Sequence, residues 1–290
     1  MHLERAVYYG SSLKDLERAL DRGAPPVTVL NAALFSAIDR GKKDVVALLL
    51  NRGADMKAVS HGTPVLTLAA WKGMTEIVSL LLDKGADINM VCGYYGTALA
   101  AAASKNQKDT VLLLLDRGAD VNLVGGEYGT ALAAAAARAG NTDTVSLLLD
   151  RGADVNLVVG GVYGTALAAA AAARWNTATV SLLLDRGANI NLVGGKYGTA
   201  LVAAAATATR WNMATVSLLV DRGANINFVG GEYGTALVAA ASVENADTVS
   251  LLLDRGANIN LVGGKGVTAL AAAVSAVGKD TVPLLLDPRS

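Results

Sequence analysis

Little in this sequence suggests chemistry. Among its 290 residues there is one cysteine, there are two histidines and aromatics make up 4%. Cys92 alone cannot form an internal disulfide, which fits a reducing compartment. His2 and His61 are not part of a histidine cluster, so a metal site of the usual ligand types is not expected. Lys+Arg and Asp+Glu both total 25; without a basic excess there is no field to displace counterions from nucleic-acid phosphates. Long apolar runs are missing too. The most apolar stretch, 157–173, is broken by Gly160, Gly161, Gly164 and Thr165, too short a run to span a bilayer. The N-terminus, MHLERAVYYGSSLKDLE, carries charges where a signal peptide needs an apolar centre. The expectation is a soluble, intracellular, cytoplasmic chain without cofactor, metal, nucleic acid or membrane among its partners.

What is present is repetition. The threonine of a GT pair recurs at Thr63, Thr97, Thr130, Thr165, Thr199 and Thr235, and as VT at Thr268, in steps of 34, 33, 35, 34, 36 and 33 residues. LLLDRGADVN or a near copy ends each unit at Gly53, Gly85, Gly118, Gly152, Gly187, Gly223 and Gly256. An earlier ALDRGA and a final TVPLLLD bring the count to nine units.

Each unit reads as two helices. Thr130 is a good N-cap and alanine the strongest helix former, so TALAAAAA starts a first helix. AGNTDT turns the chain, and VSLLLD forms a second helix that carries the large apolar side chains and stops at Gly152. ADVNLVVGGVYG is an extended turn into the next unit. A pair this short is unstable alone and must stack on its neighbours.

These phrases resemble the ankyrin repeat, roughly G-x-T-P-L-H-x-A-A, a turn, then V-V-x-L-L-L-x-x-G-A-D-V-N, over nearly the whole chain. Unit three, GTPVLTLAAWKGMTEIVSLLLDKGADIN, follows that pattern most closely. Later units depart from it: the family's Pro is alanine at Ala98, Ala131, Ala166, Ala200, Ala236 and Ala269, and its His is Ala or Val, as at Ala133 and Val202. The family's Thr–His hydrogen bonds are therefore not expected there. The GGxYGTAL variant is similar to ankyrin arrays of filamentous fungi, often joined to larger signalling receptors. The resemblance implies an all-α ankyrin-repeat solenoid of about nine helix-turn-helix units with extended finger turns, forming a single domain over 1–290. Residues 1–26 are the N-terminal capping repeat, 27–262 seven internal repeats, and 263–290 a C-terminal capping repeat without a final finger. Alanine-rich inner helices would approach closely and leucine-rich outer helices stand apart, which curves the stack; the alternative is an alanine-lined groove for an apolar ligand.

Partners of this family touch the turn tips and the exposed inner-helix positions. That implies a finger row of Glu127, Val162, Lys196, Glu232 and Lys265, of mixed sign. Tyr95, Tyr128, Tyr163, Tyr197 and Tyr233 share one position and form a ladder along the groove rim, broken at His61 and Gly266. Lys72, Lys105, Arg138, Arg174 and Arg210 fall near the ends of first helices, where cations offset the helix dipole. Units six and seven carry one and three more residues between Thr and closing Gly than unit four, and only they contain RWN, at Arg174-Trp175-Asn176 and Arg210-Trp211-Asn212. Two tryptophans beside two arginines suit a pocket for an aromatic or acidic group, or fold back over the longer turn. Trp71 is a third candidate anchor.

The glycine-rich turns lack a P-loop signature, the Cys92–His61 proximity reads as accidental, and the Asp-Arg pairs of LLLDRG read as salt bridges between repeats. A catalytic constellation is not recognisable. Three functions follow: an interaction module for a protein partner, a small-molecule-binding or catalytic groove around the Arg-Trp-Asn insertions, and a sensor fragment of a larger receptor. For the third, the cap-like first unit and the start at Met1 argue against an N-terminal excision. The first is preferred.

Overall fold

Threonine and alanine set the first helix of each pair. The Thr97, Thr130, Thr165, Thr199, Thr235 and Thr268 hydroxyls each accept the amide three residues on, as from Ala100 at 3.0 Å and Ala133 at 3.1 Å, which satisfies one orphan donor of the helix start. Unit three retains a proline and starts one residue later: its N-cap is Pro64, and Thr63 instead pairs in a small hairpin.

The computed structural model describes residues 3–10, 12–23, 25–207, 212–264 and 266–286. By its contacts the chain divides into two units, Met1–Gly126 and Glu127–Ser290. The first holds α1 (Leu3–Tyr9), α2 (Leu13–Asp21), α3 (Val27–Asp39), α4 (Lys43–Asn51), α5 (Val65–Trp71), α6 (Thr75–Asp83), α7 (Ala98–Ser104) and α8 (Lys108–Asp116). Between α4 and α5 lies an antiparallel hairpin, β1 (Val59–Ser60) with β2 (Thr63–Pro64), in register Ser60↔Thr63. The second unit holds α9 (Ala131–Ala136), α10 (Thr142–Asp150), α11 (Ala166–Ala172), α12 (Thr177–Asp185), α13 (Ala200–Ala205), α14 (Met213–Asp221), α15 (Ala236–Ser242), α16 (Ala246–Asp254), α17 (Ala269–Ser275) and α18 (Thr281–Leu286). In each unit inner helices pack on inner helices, as α5 on α7 and α11 on α13, and outer helices pack on outer ones, as α6 on α8 and α12 on α14.

Alanine makes the inner layer tight. All residues of α9 and α13 are buried, the alanines to 2% exposure or less. They are packing surface, not the lining of a groove. In the outer helices Val145 and Leu148, and their equivalents Val180, Leu183, Val216 and Leu219, are fully buried.

The Gly-Ala pair after the outer helix ends it by a Schellman turn. In α6 the Gly85 amide donates to the Leu82 carbonyl at 2.9 Å and the Ala86 amide to Leu81 at 3.0 Å, the paired bonds that close orphan carbonyls. The same Ala-to-Leu bond recurs from Ala54, Ala119, Ala153, Ala188, Ala224 and Ala257. The adjoining Arg reaches the Asp one repeat back: Arg117 to Asp83 at 2.8 Å, Arg186 to Asp150 at 2.7 Å, Arg222 to Asp185 at 2.9 Å, and Arg255 to Asp221. These exposed pairs contribute at most about 1 kcal/mol each.

Finger asparagines link repeats along the turn. Asn156 accepts from the Asn189 amide at 2.7 Å and donates to the Gly187 carbonyl at 3.0 Å; Asn191 and Asn227 do the same one and two repeats on.

Glycine serves two different needs here. Gly187, in a helix-ending turn, has φ +87° and nothing within 4 Å of an added Cβ. Gly164, in a finger, has φ +73°, and its Cβ would lie 2.0 Å from the Gly194 carbonyl carbon. Gly187→Ala is therefore expected to cost about 1–2 kcal/mol, the left-handed penalty alone. Gly164→Ala adds a backbone collision worth about 1–3 kcal/mol more. Urea unfolding midpoints check the order; equal losses would refute direct finger-to-finger backbone contact.

Candidate interaction surface

In the second unit the tyrosines form a stacked column. Ring centroids are 6.2 Å apart for Tyr128–Tyr163, 6.1 Å for Tyr163–Tyr197 and 5.9 Å for Tyr197–Tyr233, with interplanar angles of 8°, 23° and 2°. All four are half-buried. Two sets of backbone bonds hold them. Each finger closes on itself, Gly194 N to Gly198 O at 2.8 Å and Gly230 N to Gly234 O at 2.7 Å. Successive fingers join through the variable residue: Lys196 N to Val162 O and Glu232 N to Lys196 O, both 2.9 Å. The variable position thus carries the link in its peptide and leaves its side chain free to differ.

Glu127, Lys196 and Glu232 are exposed and Val162 is half-buried. Lys196 and Glu232 pair at 3.3 Å, so part of the mixed charge is satisfied within the row. The hydrogen bond it donates to the Glu232 carboxylate holds the Lys196 ammonium above its ordinary range. Lys265 lies outside the described residues, as do Arg210 and Trp211.

Tyr95 does different work in the first unit. Its hydroxyl accepts a hydrogen bond from the Trp71 indole at 2.6 Å, and Tyr94 meets its ring edge-on at 5.0 Å. The Lys105 ammonium lies 4.6 Å from the Trp71 ring centroid, a cation–π contact. Trp71 is therefore a half-buried clamp between repeats.

The cations at the inner-helix ends are not one class. Lys72 pairs with Asp39 at 2.6 Å, reaching back to the previous inner helix, and Lys105 covers Trp71. Arg138 and Arg174 are exposed.

The three residues of the described RWN motif separate. Trp175 is 64% exposed, with φ +53°, and Arg174 beside it is also exposed. Asn176 is buried; its amide donates to Ala136 O at 2.7 Å and Ala170 O at 3.3 Å. It ties the ends of two successive inner helices. Asn141 donates to Ala135 O at 3.2 Å within its own repeat, and Asn212 to Ala171 O at 3.1 Å one repeat back. Sequence reasoning missed this role, although an asparagine at that turn in units five to eight was the signal.

Among the described residues no three His, Cys, Asp or Glu side chains gather where they could hold a metal ion. Cys92 Sγ points to the Gly62 carbonyl at 3.7 Å and His61 bonds to Ser60. Among the described residues the arrangement offers stacked rings, exposed charges and the exposed Trp175.

Two outcomes follow. Asn176→Ala takes the side-chain donor from the Ala136 carbonyl, while Ala170 O keeps the Ala173 amide, and is expected to lower stability by about 1–3 kcal/mol, read from urea unfolding. Burial, reinforced by neighbouring phenols, holds the Tyr163 and Tyr197 hydroxyls above their ordinary value of 10.0. A raised phenol binds its proton more tightly folded than unfolded, so its stabilisation is complete below pH 10.0 and lost as pH rises through the folded value. Unfolding midpoints should fall from about pH 10 upward, and the fall should be shallower in Tyr163→Phe/Tyr197→Phe.

Among the described residues no helix is long and apolar enough to cross a membrane. A comparison with curated proteins gives no match. The family model for ankyrin repeats (3 copies) matches residues 3–92, 92–159, 136–229 and 206–290. Helix pairs, closing Schellman turns and finger-to-finger links run through these stretches, and the chain belongs to the ankyrin-repeat family.

Proposed function

We propose that residues 1–290 act as one interaction module that presents a preformed surface to a protein partner. The finger residues Glu127, Val162, Lys196 and Glu232, the tyrosine column and the rim at Arg174 and Trp175 are its contact elements. Ankyrin repeats are in general protein–protein interaction modules, and rigid presentation lowers the ordering cost of binding.

Trp175 carries the reading. It occupies the slot just before the outer-helix N-cap, where the backbone is left-handed: Gly41, Gly73, Asn106, Gly140 and Glu244 fill it elsewhere. A side chain with a Cβ costs about 1–2 kcal/mol in that conformation. Here the slot holds the largest side chain available, and the residue is 64% exposed. Indole is the side chain most enriched at binding hot spots.

The test separates surface from structure. Trp175→Gly is expected to leave stability unchanged or raise it by up to about 1 kcal/mol, while abolishing the thermal shift given by the protein fraction of a source-cell extract. A marked loss of stability would make Trp175 a structural brace. A shift with the small-molecule fraction alone would make the surface a ligand site.

A further inference from the structure

The tyrosine column ends with one ring face bare of any following ring. Tyr128, Tyr163 and Tyr197 each carry the next repeat's tyrosine in a near-parallel stack. At the equivalent place after Tyr233 the chain has Gly266, and no Phe, Trp or Tyr follows Tyr233 in the sequence. The finger itself persists: Gly263 N donates to Val267 O at 2.8 Å, the closure that Gly230 and Gly234 make at 2.7 Å. The left-handed positions differ: the residue after the tyrosine (Gly234, φ +81°) gives way to the tyrosine's own place (Gly266, φ +72°), and Gly264 lacks the positive φ of its equivalent Gly231 (φ +67°). The scaffold of a rung is present without its ring.

A cleft of about 260 Å³ stands there. Tyr233, Val238, Val267 and Ala272 wall it, and the Lys196–Glu232 pair lies at its edge. It falls below the about 300–1,000 Å³ of sites that take a whole small ligand. One apolar side chain suits it better. The repeat before it shows what chemistry this geometry accepts, since in every preceding rung of the column a phenol ring covers the tyrosine behind it.

We infer that this vacant rung is a docking site for an aromatic side chain, tyrosine or phenylalanine, supplied by a protein partner and stacked on Tyr233. The ring would rest against Val238 and Val267, and polar groups flanking it would meet Lys196 and Glu232. This rests on the reading of this surface as an interaction module, but is tested apart from Trp175, so either can fail alone.

The probe is the peptide acetyl-Gly-Glu-Tyr-Gly-amide, at millimolar concentration with the full chain. Saturation transfer to the peptide ring protons and intermolecular NOEs to the Val238 and Val267 methyls are expected; an alanine peptide should give neither. Gly266→Tyr/Val267→Gly restores the pattern of the internal fingers. It should raise the unfolding midpoint and weaken peptide binding by about tenfold or more. Absence of saturation, NOEs to other residues, or undiminished binding to a folded double variant would overturn the inference. If the double variant does not fold, the NOEs on the unaltered chain decide.

Discussion

Peptide-to-peptide approach between neighbouring fingers is the constraint on which the rest of the structure hangs. Gly164 and Gly194, or Gly96 and Gly125, come so close that a single methyl group would collide with backbone. Because the contact is made by main chain, it is indifferent to which side chain occupies the variable position. It fixes the rise from one rung to the next, and at that rise a tyrosine placed once per repeat stacks on the tyrosine before it.

Polar groups are handled by the same short reach. Finger asparagines bond to the next repeat, the turn asparagines Asn176 and Asn212 to the previous one, and arginines to the aspartate one repeat back. None of these links spans more than one neighbour, so stability accrues repeat by repeat and pair by pair, as expected of a quasi-one-dimensional array. The alanine helices supply closeness, and the outer layer adds fully buried valines and leucines.

Much of this was legible in the sequence. Thr130 as cap, Gly152 as stop, the alanine helix between them and the equivalence of the tyrosines all follow from residue types at fixed spacing. The hairpin at Val59–Pro64 did not follow, because two residues per strand leave no periodicity to read. Nor did the separation within RWN. Adjacent residues around a left-handed turn face different surroundings, so Trp175 meets solvent while Asn176 enters the core, and a motif read as one patch is two. The cations show the same limit. Lys72 and Lys105 occupy matching positions, yet one finds Asp39 and the other the Trp71 ring, because the neighbour one repeat back decides the partner. Sequence spacing locates such a side chain but leaves its partner to three-dimensional stacking.

Repeat seven carries its three added residues between α13 and α14, and repeat six its one between α11 and α12. Ring separations across repeats five, six and seven, which carry one, one and three added residues, are 6.2, 6.1 and 5.9 Å. Length at the helix-to-helix turn is thus mechanically uncoupled from the rung spacing. Such a chain can lengthen and rewrite its rim, one repeat at a time, without disturbing the alignment of the fingers, and novelty at that edge carries little penalty for the frame behind it.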